Sequence, residues 1–353
     1  MKYTDHLPVT TLRNKVLIPG MKYFAICCAA LINGAVFVAL SAQTPQSGPT
    51  MRVDPGFDEI VSPGTTMETV RSGFGFINGI VWVRESGGGH LLISDIPANV
   101  VHRWTPDGKM TAFVEKPDWT RTTGRPNNPR FGANGITVDP QGRIVYAAEA
   151  DRAVVRLEKD GKRTILAERY EGKRLNSPND LVFRRDGALY FTDPSGGNRF
   201  ADWDLKKELP YQGVFLLKDG TLQLAIKDLE RPNGIVLSPD EKFLYVNDSV
   251  KRTIMRYEVQ RDGSVANGKL FADMSAGKGT GNPDGMKFDE KGNLYSVGPG
   301  GIWVFTPDGK HLGTIVPPEF APGFVFGDAD GKSLYLAASS QLARIRVRNA
   351  GAR

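Results

Sequence analysis

The chain has 353 residues, of which 40% are hydrophobic and 24% charged, a composition that excludes disordered, collagen-like and polytopic membrane proteins. Its 40 Gly and 23 Pro residues indicate many short strands joined by turns rather than a helical bundle. The formal net charge of +6 falls to +3 without residues 1–42. Because no basic patch is interleaved with aromatic residues, the sequence predicts no nucleic-acid partner.

The amino terminus is predicted to be a targeting segment. An apolar run over residues 23–40 follows Lys22 and precedes Ser41-Ala42-Gln43, which is the order of a secretory signal peptide. We therefore predict a signal peptide over residues 1–42, with Met21 as an alternative start. The mature protein is then periplasmic or secreted and has no stable membrane span. An uncleaved anchor helix is the competing interpretation, because a run of 18 residues is near the spanning minimum.

The predicted targeting segment determines what the mature protein contains. Both cysteines, Cys27 and Cys28, lie inside it, so disulfides and a thiol nucleophile are excluded from the mature protein. Residues 43–56 are rich in Pro, Ser and Gln and are predicted to form a flexible leader. A single domain is predicted over residues 57–350.

A strand–turn–strand pattern recurs six times from Asn78 onward. The last residues of the second strands stand 40 to 55 positions apart, a spacing typical of propeller blades. We predict an all-β protein, a six-bladed β-propeller with four antiparallel strands per blade; a solenoid or two stacked sandwiches are the alternatives. The second strands are His90–Asp95, Arg143–Glu149, Ala188–Asp193, Phe243–Asp248, Asn293–Gly298 and Ser333–Ala338.

The sixth unit is one strand short, because only Gln341–Val347 follows its second strand. A closed ring leaves no exposed sheet edge if the other terminus supplies the missing strand. We therefore expect a strand from residues 56–73, either Met67–Arg71 or Asp58–Val61, to pair with Gln341–Val347 and close the seam.

A polar residue precedes the first strand of five units. Equivalent positions in a closed ring are equivalent in space, so these side chains are expected to converge at one mouth of the central channel. Turn chemistry is the alternative explanation of Asn-Gly pairs, but these pairs precede an apolar strand. The pairs are Asn78-Gly79, Asn134-Gly135, Asn179-Asp180, Asn233-Gly234 and Asp284-Gly285.

Amide and carboxylate oxygens are ligands that calcium accepts in irregular geometry, so the sequence predicts a site for Ca²⁺ or another divalent cation at this mouth. Zinc is disfavoured because the mature chain has only His90, His102 and His311, which lack metal-ligand spacing. A nucleophilic serine is also unsupported, since no G-x-S-x-G motif is present.

Four segments carry a resemblance to a known family. Leu175–Val182 with Ala188–Pro194, Arg231–Ile235 and Pro283–Met286 resemble the gluconolactonase / senescence-marker-protein / luciferin-regenerating-enzyme-like family. The resemblance implies a six-bladed propeller that holds calcium or a similar cation at the channel mouth and hydrolyses sugar lactones and related esters. It also implies that Asn233 and Asp284 are metal ligands.

In the same way the resemblance places Asn179 at the metal or the substrate. The family's first blade usually reads Glu-Gly-Pro-x-Trp, where this chain has Asn78-Gly79-Ile80-Val81-Trp82. Asn78 therefore stands in the place of a carboxylate ligand, and the site loses one negative charge.

Our leading hypothesis is a cation-dependent hydrolase of a sugar lactone or small ester. Asn78, Asn179, Asn233 and Asp284 are the predicted metal ligands, and Asp284 is also the predicted base or nucleophile. Asn134, Asn179 and Asp193 are predicted to bind the substrate. A non-catalytic propeller that binds a small ligand or a protein, and a metal-independent enzyme, are the alternatives.

Two long segments, Asp118–Arg130 and Gly196–Tyr211, are predicted to overhang the mouth of the channel and to set specificity. The oligomeric state does not follow from the sequence.

Overall fold

The computed structural model describes residues 48–118, 132–195 and 207–352. The predicted signal peptide lies outside the described residues, as does most of the two predicted overhanging segments, Asp118–Arg130 and Gly196–Tyr211. Residues 46–353 belong to one compact unit. Within the described ranges, no helix is long and apolar enough to cross a membrane.

The described residues form 25 strands and one short 3₁₀ helix, Pro55–Glu59. The first strands are β1 (Thr50–Arg52), β2 (Met67–Glu85), β3 (Gly88–Asp95), β4 (Val100–Trp104), β5 (Met110–Glu115), β6 (Ala133–Val138), β7 (Ile144–Ala148), β8 (Ala153–Leu157), β9 (Arg163–Ala167), β10 (Arg169–Tyr170), β11 (Lys173–Arg174), β12 (Leu181–Phe183) and β13 (Leu189–Asp193). The remaining strands are β14 (Gly213–Lys218), β15 (Thr221–Ile226), β16 (Pro232–Leu237), β17 (Phe243–Asp248), β18 (Thr253–Val259), β19 (Val265–Asp273), β20 (Met286–Phe288), β21 (Leu294–Gly298), β22 (Gly301–Phe305), β23 (His311–Ile315), β24 (Gly323–Gly327) and β25 (Ser333–Arg346).

The strands form an all-β propeller of antiparallel sheets. Three sheets have four strands, in the orders β6-β7-β8-β9, β12-β13-β14-β15 and β16-β17-β18-β19. A five-stranded sheet has the order β1-β23-β22-β21-β20, and a six-stranded sheet has the order β24-β25-β2-β3-β4-β5. The strands β10 and β11 form a separate two-stranded sheet.

The predicted count of six separate four-stranded blades is wrong, because the described residues form five large sheets. The physical reason lies in two long strands, β2 and β25. The strand β2 pairs with β25 through residues 67–77 and with β3 through residues 77–85. The segments that the sequence pattern divides between the first and the sixth blade therefore lie in one continuous sheet.

The predicted closure of the seam is confirmed. Met67 pairs with Ile345 and Ser72 pairs with Gln341 in antiparallel register. Of the two candidate segments it is therefore Met67–Arg71 that pairs with the last strand. The other candidate, Asp58–Val61, overlaps the 3₁₀ helix instead.

Part of the predicted flexible leader is ordered. Residues 50–52 form β1, which adds an outer strand to the five-stranded sheet through pairs such as Thr50 with Ile315. The following 3₁₀ helix starts at Pro55 and is capped by Asp54, whose side chain accepts the N–H of Gly56. Phe57, the residue of this helix that is fully buried, packs in the core beside Leu312 and Ile315. Residues 43–47 lie outside the described part.

The core between the sheets is filled by aromatic residues that recur at one position of the second strands. Four of them, Tyr146, Tyr190, Tyr295 and Tyr335, are fully buried. Their hydroxyl groups find acceptors; that of Tyr335, for example, donates to Asp328 Oδ1 at 2.8 Å. A buried tyrosine supplies a large apolar surface and needs one polar partner, so this repeat fills the wedge between sheets without leaving an unpaired hydroxyl.

The inner strands surround the channel as a closed ring in which β2, β6, β12, β16, β20 and β24 each contact the next, and β24 contacts β2. Glycines allow the closest approaches. A Cβ atom on Gly79 would lie 1.8 Å from the carbonyl oxygen of Asn134, and one on Gly234 would lie 2.0 Å from that of Asp284. The glycine of the Asn-Gly pairs is therefore required by strand packing.

We expect Gly79→Ala to destabilise the protein by about 1–3 kcal/mol or more, since overpacking forces the backbone apart. Thermal unfolding followed by circular dichroism measures the loss. Gly48→Ala is the matched control, because a Cβ there meets no atom within 4 Å. Equal melting temperatures for the two variants would contradict the packing of the ring.

Candidate active site

One narrow cavity lies where the inner strands begin, and its volume of about 30 Å³ is enough for a water molecule or an ion. The structure brings Asn78, Asn134, Asn179 and Asp284 together in its wall. Four of the five polar residues that were predicted to converge are therefore found at one mouth of the channel. Their chemical roles stay predictions.

The fifth residue, Asn233, adjoins the same cavity through its neighbours. Its side-chain Nδ2 donates to the carbonyl oxygen of Pro283 at 3.2 Å, and its amide also hydrogen bonds to the Asp284 carboxyl group. The amide oxygen Oδ1 of Asn233 is buried and accepts no hydrogen bond from the described residues. An acceptor in this state, beside a carboxylate, is available as an oxygen ligand.

Hydrogen bonds between neighbouring inner strands fix the wall of the cavity. The Thr192 hydroxyl donates to the carbonyl oxygen of Asn233 at 2.7 Å. The Asn247 side chain accepts the N–H of Gly234 at 2.9 Å and donates to the carbonyl oxygen of Asp284. These side chains come from the second strands β13 and β17, so each blade holds the polar residue of the next blade in position.

The electrostatics of the cavity single out Asp284. Burial raises the pKa of its carboxyl group well above the usual range, and the negative charges of Asp180 and Glu149 raise it further, against the lowering effect of the Asn233 amide. Burial likewise raises the pKa of Asp180, which Lys287 partly offsets. Among the described residues that line the cavity, Lys287 is the one cationic side chain.

Three of these charged residues are not among the predicted site residues. Asp180 occupies the place of the glycine in the third polar pair, and its carboxylate accepts the N–H groups of Leu181 at 2.8 Å and Ile235 at 3.2 Å. Glu149 Oε2 accepts a hydrogen bond from Asn134 Nδ2 at 3.3 Å. The break in the Asn-Gly pattern pointed to Asp180, whereas Lys287 carried no sequence signal.

Asp193, predicted to bind the substrate, lies outside the cavity. It is fully buried, and its two carboxylate oxygens accept the N–H groups of Asn176 at 2.7 Å and Ser177 at 2.8 Å. The carboxylate therefore fastens the loop that leads to Asn179 and supports the wall of the site from behind.

The donor chemistry fits a hard cation. Over residues 48–118, 132–195 and 207–352, no three His, Cys, Asp or Glu side chains are placed to hold a metal ion together. An ion at this mouth would thus depend on amide as well as carboxylate oxygens, a mixture that calcium accepts. The buried Oδ1 of Asn233, which has no hydrogen-bond donor within the described part of the chain, provides such a mixture beside Asp284.

A pH dependence of stability follows from Asp193. Burial raises the pKa of its carboxyl group to about 7, so between about pH 4 and pH 7 the native state holds a proton that the unfolded chain has lost. The contribution of this group to stability is therefore full below about pH 4 and is lost as the pH rises through 7. Asp193→Asn removes the titration.

We expect the free energy of unfolding of Asp193→Asn to fall less between pH 4 and pH 7 than that of the wild type, as measured by urea unfolding at both pH values. Asp219→Asn on the exposed surface serves as the control. Parallel pH profiles for wild type and Asp193→Asn would contradict the raised pKa.

Comparisons with known proteins agree with this architecture. The profile of the SMP-30/Gluconolactonase/LRE-like region matches residues 76–340. The chain is 36% identical over 341 residues to a gluconolactonase of Zymomonas mobilis, covering 93% of this chain and 94% of that protein.

Two solved structures share the fold. A gluconolactonase of Xanthomonas campestris superposes with a TM-score of 0.73 at 30% identity, over 86% of this chain and 96% of that one. The calcium-binding protein regucalcin of Agrobacterium tumefaciens has a TM-score of 0.62 at 19% identity, over 81% and 96% of the two chains. With the sequence match over most of its length, the chain belongs to the SMP-30/gluconolactonase/LRE-like family.

Proposed function

We propose that this protein hydrolyses a sugar lactone or a related small ester with the help of a divalent cation, most simply Ca²⁺, held at the channel mouth. The observation that carries the proposal is the buried Asp284 carboxyl group beside the Oδ1 atom of Asn233, which accepts no hydrogen bond from the residues that the structure describes. The gluconolactonases of Zymomonas mobilis and Xanthomonas campestris support the substrate class, and the calcium-binding regucalcin is in keeping with the cation.

Asn233 and Asp284 would hold the cation, with Asn78 and Asn179 as further oxygen ligands on the same wall. The bound cation would supply Lewis-acid polarisation of the lactone carbonyl and lower the pKa of water beside it. Asn134 and Asn179 would orient the sugar hydroxyls through their amide groups. The amide groups of this wall offer hydrogen-bond donors and acceptors that suit the hydroxyl groups of a polyhydroxylated ring better than an apolar substrate.

Asp284 is the base in this proposal. Burial raises the pKa of its carboxyl group in the metal-free protein, whereas a bound cation would keep the group ionised, and the ionised carboxylate can accept a proton. It takes a proton from the water that adds to the lactone carbonyl. The carbon–oxygen bond of the ring then breaks, and the same proton passes to the departing ring oxygen, so that the product is the hydroxy acid.

The chemistry requires that the ligands be fixed before the substrate arrives. The Asn247 side chain and the Thr192 hydroxyl hold the backbone at Asp284 and Asn233 from behind. A charge-bearing group held in this way needs little reorganisation during the reaction.

The location of the protein outside the cytoplasm, inferred from residues 1–42, is part of the same proposal.

We expect Asp284→Asn to lose lactone hydrolysis by at least about 10²-fold, the usual contribution of a general base, and to lose calcium binding as well. A pH-stat assay on a panel of aldonolactones and titration calorimetry with Ca²⁺ measure the two losses. Asp219→Asn, an exposed residue of positive φ that asparagine tolerates, is the matched control and should keep both properties.

Chelation separates the alternatives. Turnover that disappears with excess EDTA and returns with Ca²⁺ supports the proposal. Turnover that survives EDTA would favour a metal-independent enzyme on this scaffold, whereas no turnover on any lactone of the panel would favour a propeller that only binds a ligand.

A further inference from the structure

Acidic residues at the ends of three second strands perform one structural task. Asp95, Asp193 and Asp248 end β3, β13 and β17. Each accepts a backbone N–H group from the stretch just before the polar pair of the neighbouring inner strand, as Asp95 does from Gly75 at 2.9 Å and Phe76 at 3.2 Å within β2. The carboxylate of each is thereby committed to holding backbone and not to the channel.

The second blade departs from this arrangement. In the first blade the acidic residue Asp95 pairs with Ile77, the residue just before the polar pair. In the second blade the equivalent partner, opposite Ala133, is Ala148. The loop is held instead by Asp118, a fully buried residue. Its carboxylate accepts the N–H groups of Gly132 at 2.9 Å, Ala150 at 3.0 Å and Asp151 at 3.3 Å.

Glu149 comes directly after this alanine, and its side chain contacts the cavity wall through Asn134. Its Oε2 accepts a hydrogen bond from Nδ2 of Asn134 at 3.3 Å, and Asn134 is a buried residue of the cavity wall. The charge of Glu149 also acts on the Asp284 carboxyl group. A carboxylate that contacts one wall residue and repels another lies within reach of the same mouth.

Glu149 changes the count of negative charges at the channel mouth. Asn78 carries no charge, so the amide and carboxylate residues predicted from sequence supply a single negative charge, from Asp284. Asp180 is balanced in part by Lys287 and gives its oxygens to backbone N–H groups. The placement of Glu149 supplies the second negative charge that a doubly charged ion needs.

We propose that Glu149 is a carboxylate ligand of the channel-mouth cation and takes the place of the first-blade carboxylate that Asn78 lacks. This inference rests on the proposed function, because it assumes a cation at that mouth. The hydrogen bond to Asn134 then has a positioning role: it directs the Glu149 carboxylate toward Asp284 from the opposite part of the ring.

The test is titration calorimetry with Ca²⁺ alone on four full-length proteins without substrate: wild type, Glu149→Gln, Asn78→Glu and the double variant. We expect Glu149→Gln to bind Ca²⁺ about tenfold more weakly or worse, the loss expected for a charged oxygen replaced by a neutral one. Asn78→Glu should restore affinity in the Glu149→Gln background and gain more there than in the wild type.

Glu258→Gln is the matched control. Glu258 also accepts a hydrogen bond from an asparagine, Asn267, at 2.7 Å, but the pair is on the outer strands β18 and β19. Its removal should leave the affinity for Ca²⁺ unchanged. Melting curves in EDTA show whether each variant is folded. If Glu149→Gln is not folded, Glu149→Asp is the second variant, because it keeps the negative charge but shortens the side chain by one methylene group. Glu149→Asp should also bind Ca²⁺ more weakly than the wild type.

The outcomes separate the two proposals. If the wild type binds no Ca²⁺, the cation-dependent function fails and this inference fails with it. If the wild type binds Ca²⁺ and a folded Glu149→Gln or Glu149→Asp binds it equally well, Glu149 is not a ligand and the inference alone is overturned. Weaker binding that Asn78→Glu does not restore would also overturn the proposed exchange between the two positions.

Discussion

The close approach of neighbouring inner strands is the constraint on which the rest of the molecule depends. Glycines in the wall of the channel leave room for the carbonyl oxygen of the next strand, as at Gly79 against Asn134 and Gly323 against Asn78. Backbone bonds tighten the same ring, since Gly135 N–H donates to Asn179 O at 2.7 Å and Gly285 N–H to Pro322 O at 2.9 Å. Close packing at these glycines restricts the directions that the neighbouring side chains can take.

This geometry brings several carboxylates together, at a cost to the metal-free protein. Burial and mutual repulsion disfavour the charged forms of Asp180 and Asp284. Interiors tolerate such a cluster when an opposite charge joins it, and a bound cation reverses the effect of burial on the pKa of its ligands. In the proposed metal-bound state, relief of the repulsion between these carboxylates would contribute to the affinity of the mouth for a divalent ion.

The repeat could be predicted because each second strand carries its own apolar pattern and a turn. The polar pairs could be placed at one mouth because equivalent positions in a ring converge. The separation into blades could not, since β2 runs without a break from the strand that closes the sixth predicted blade into the first strand of the first blade. Nor could the pairing of Thr50–Arg52 with β23, because three residues in a Pro- and Ser-rich segment carry no periodicity.

The acidic residues show where sequence reasoning fails most instructively. In the sequence, Glu149 aligns with Asp95 and Asp193 because all three end an apolar run. The strand register shows that Ala148 holds that position and that the cap comes from Asp118, 30 residues away from Ala148 in sequence. Asp193 in turn is such a cap. A carboxylate that caps a backbone segment and one that faces the channel look alike in sequence. They are distinguished by whether the carboxylate accepts backbone N–H groups in the structure.

We propose that the ring of inner strands holds a cation with oxygen atoms from different blades. A crystal structure of the protein grown in Ca²⁺, with anomalous diffraction to identify the ion, tests this most directly. We expect one ion at the mouth, about 2.3–2.6 Å from Oδ1 of Asn233 and from a carboxylate oxygen of Asp284. A mouth that holds only water at saturating Ca²⁺, or an ion bound elsewhere on the propeller, would contradict the claim.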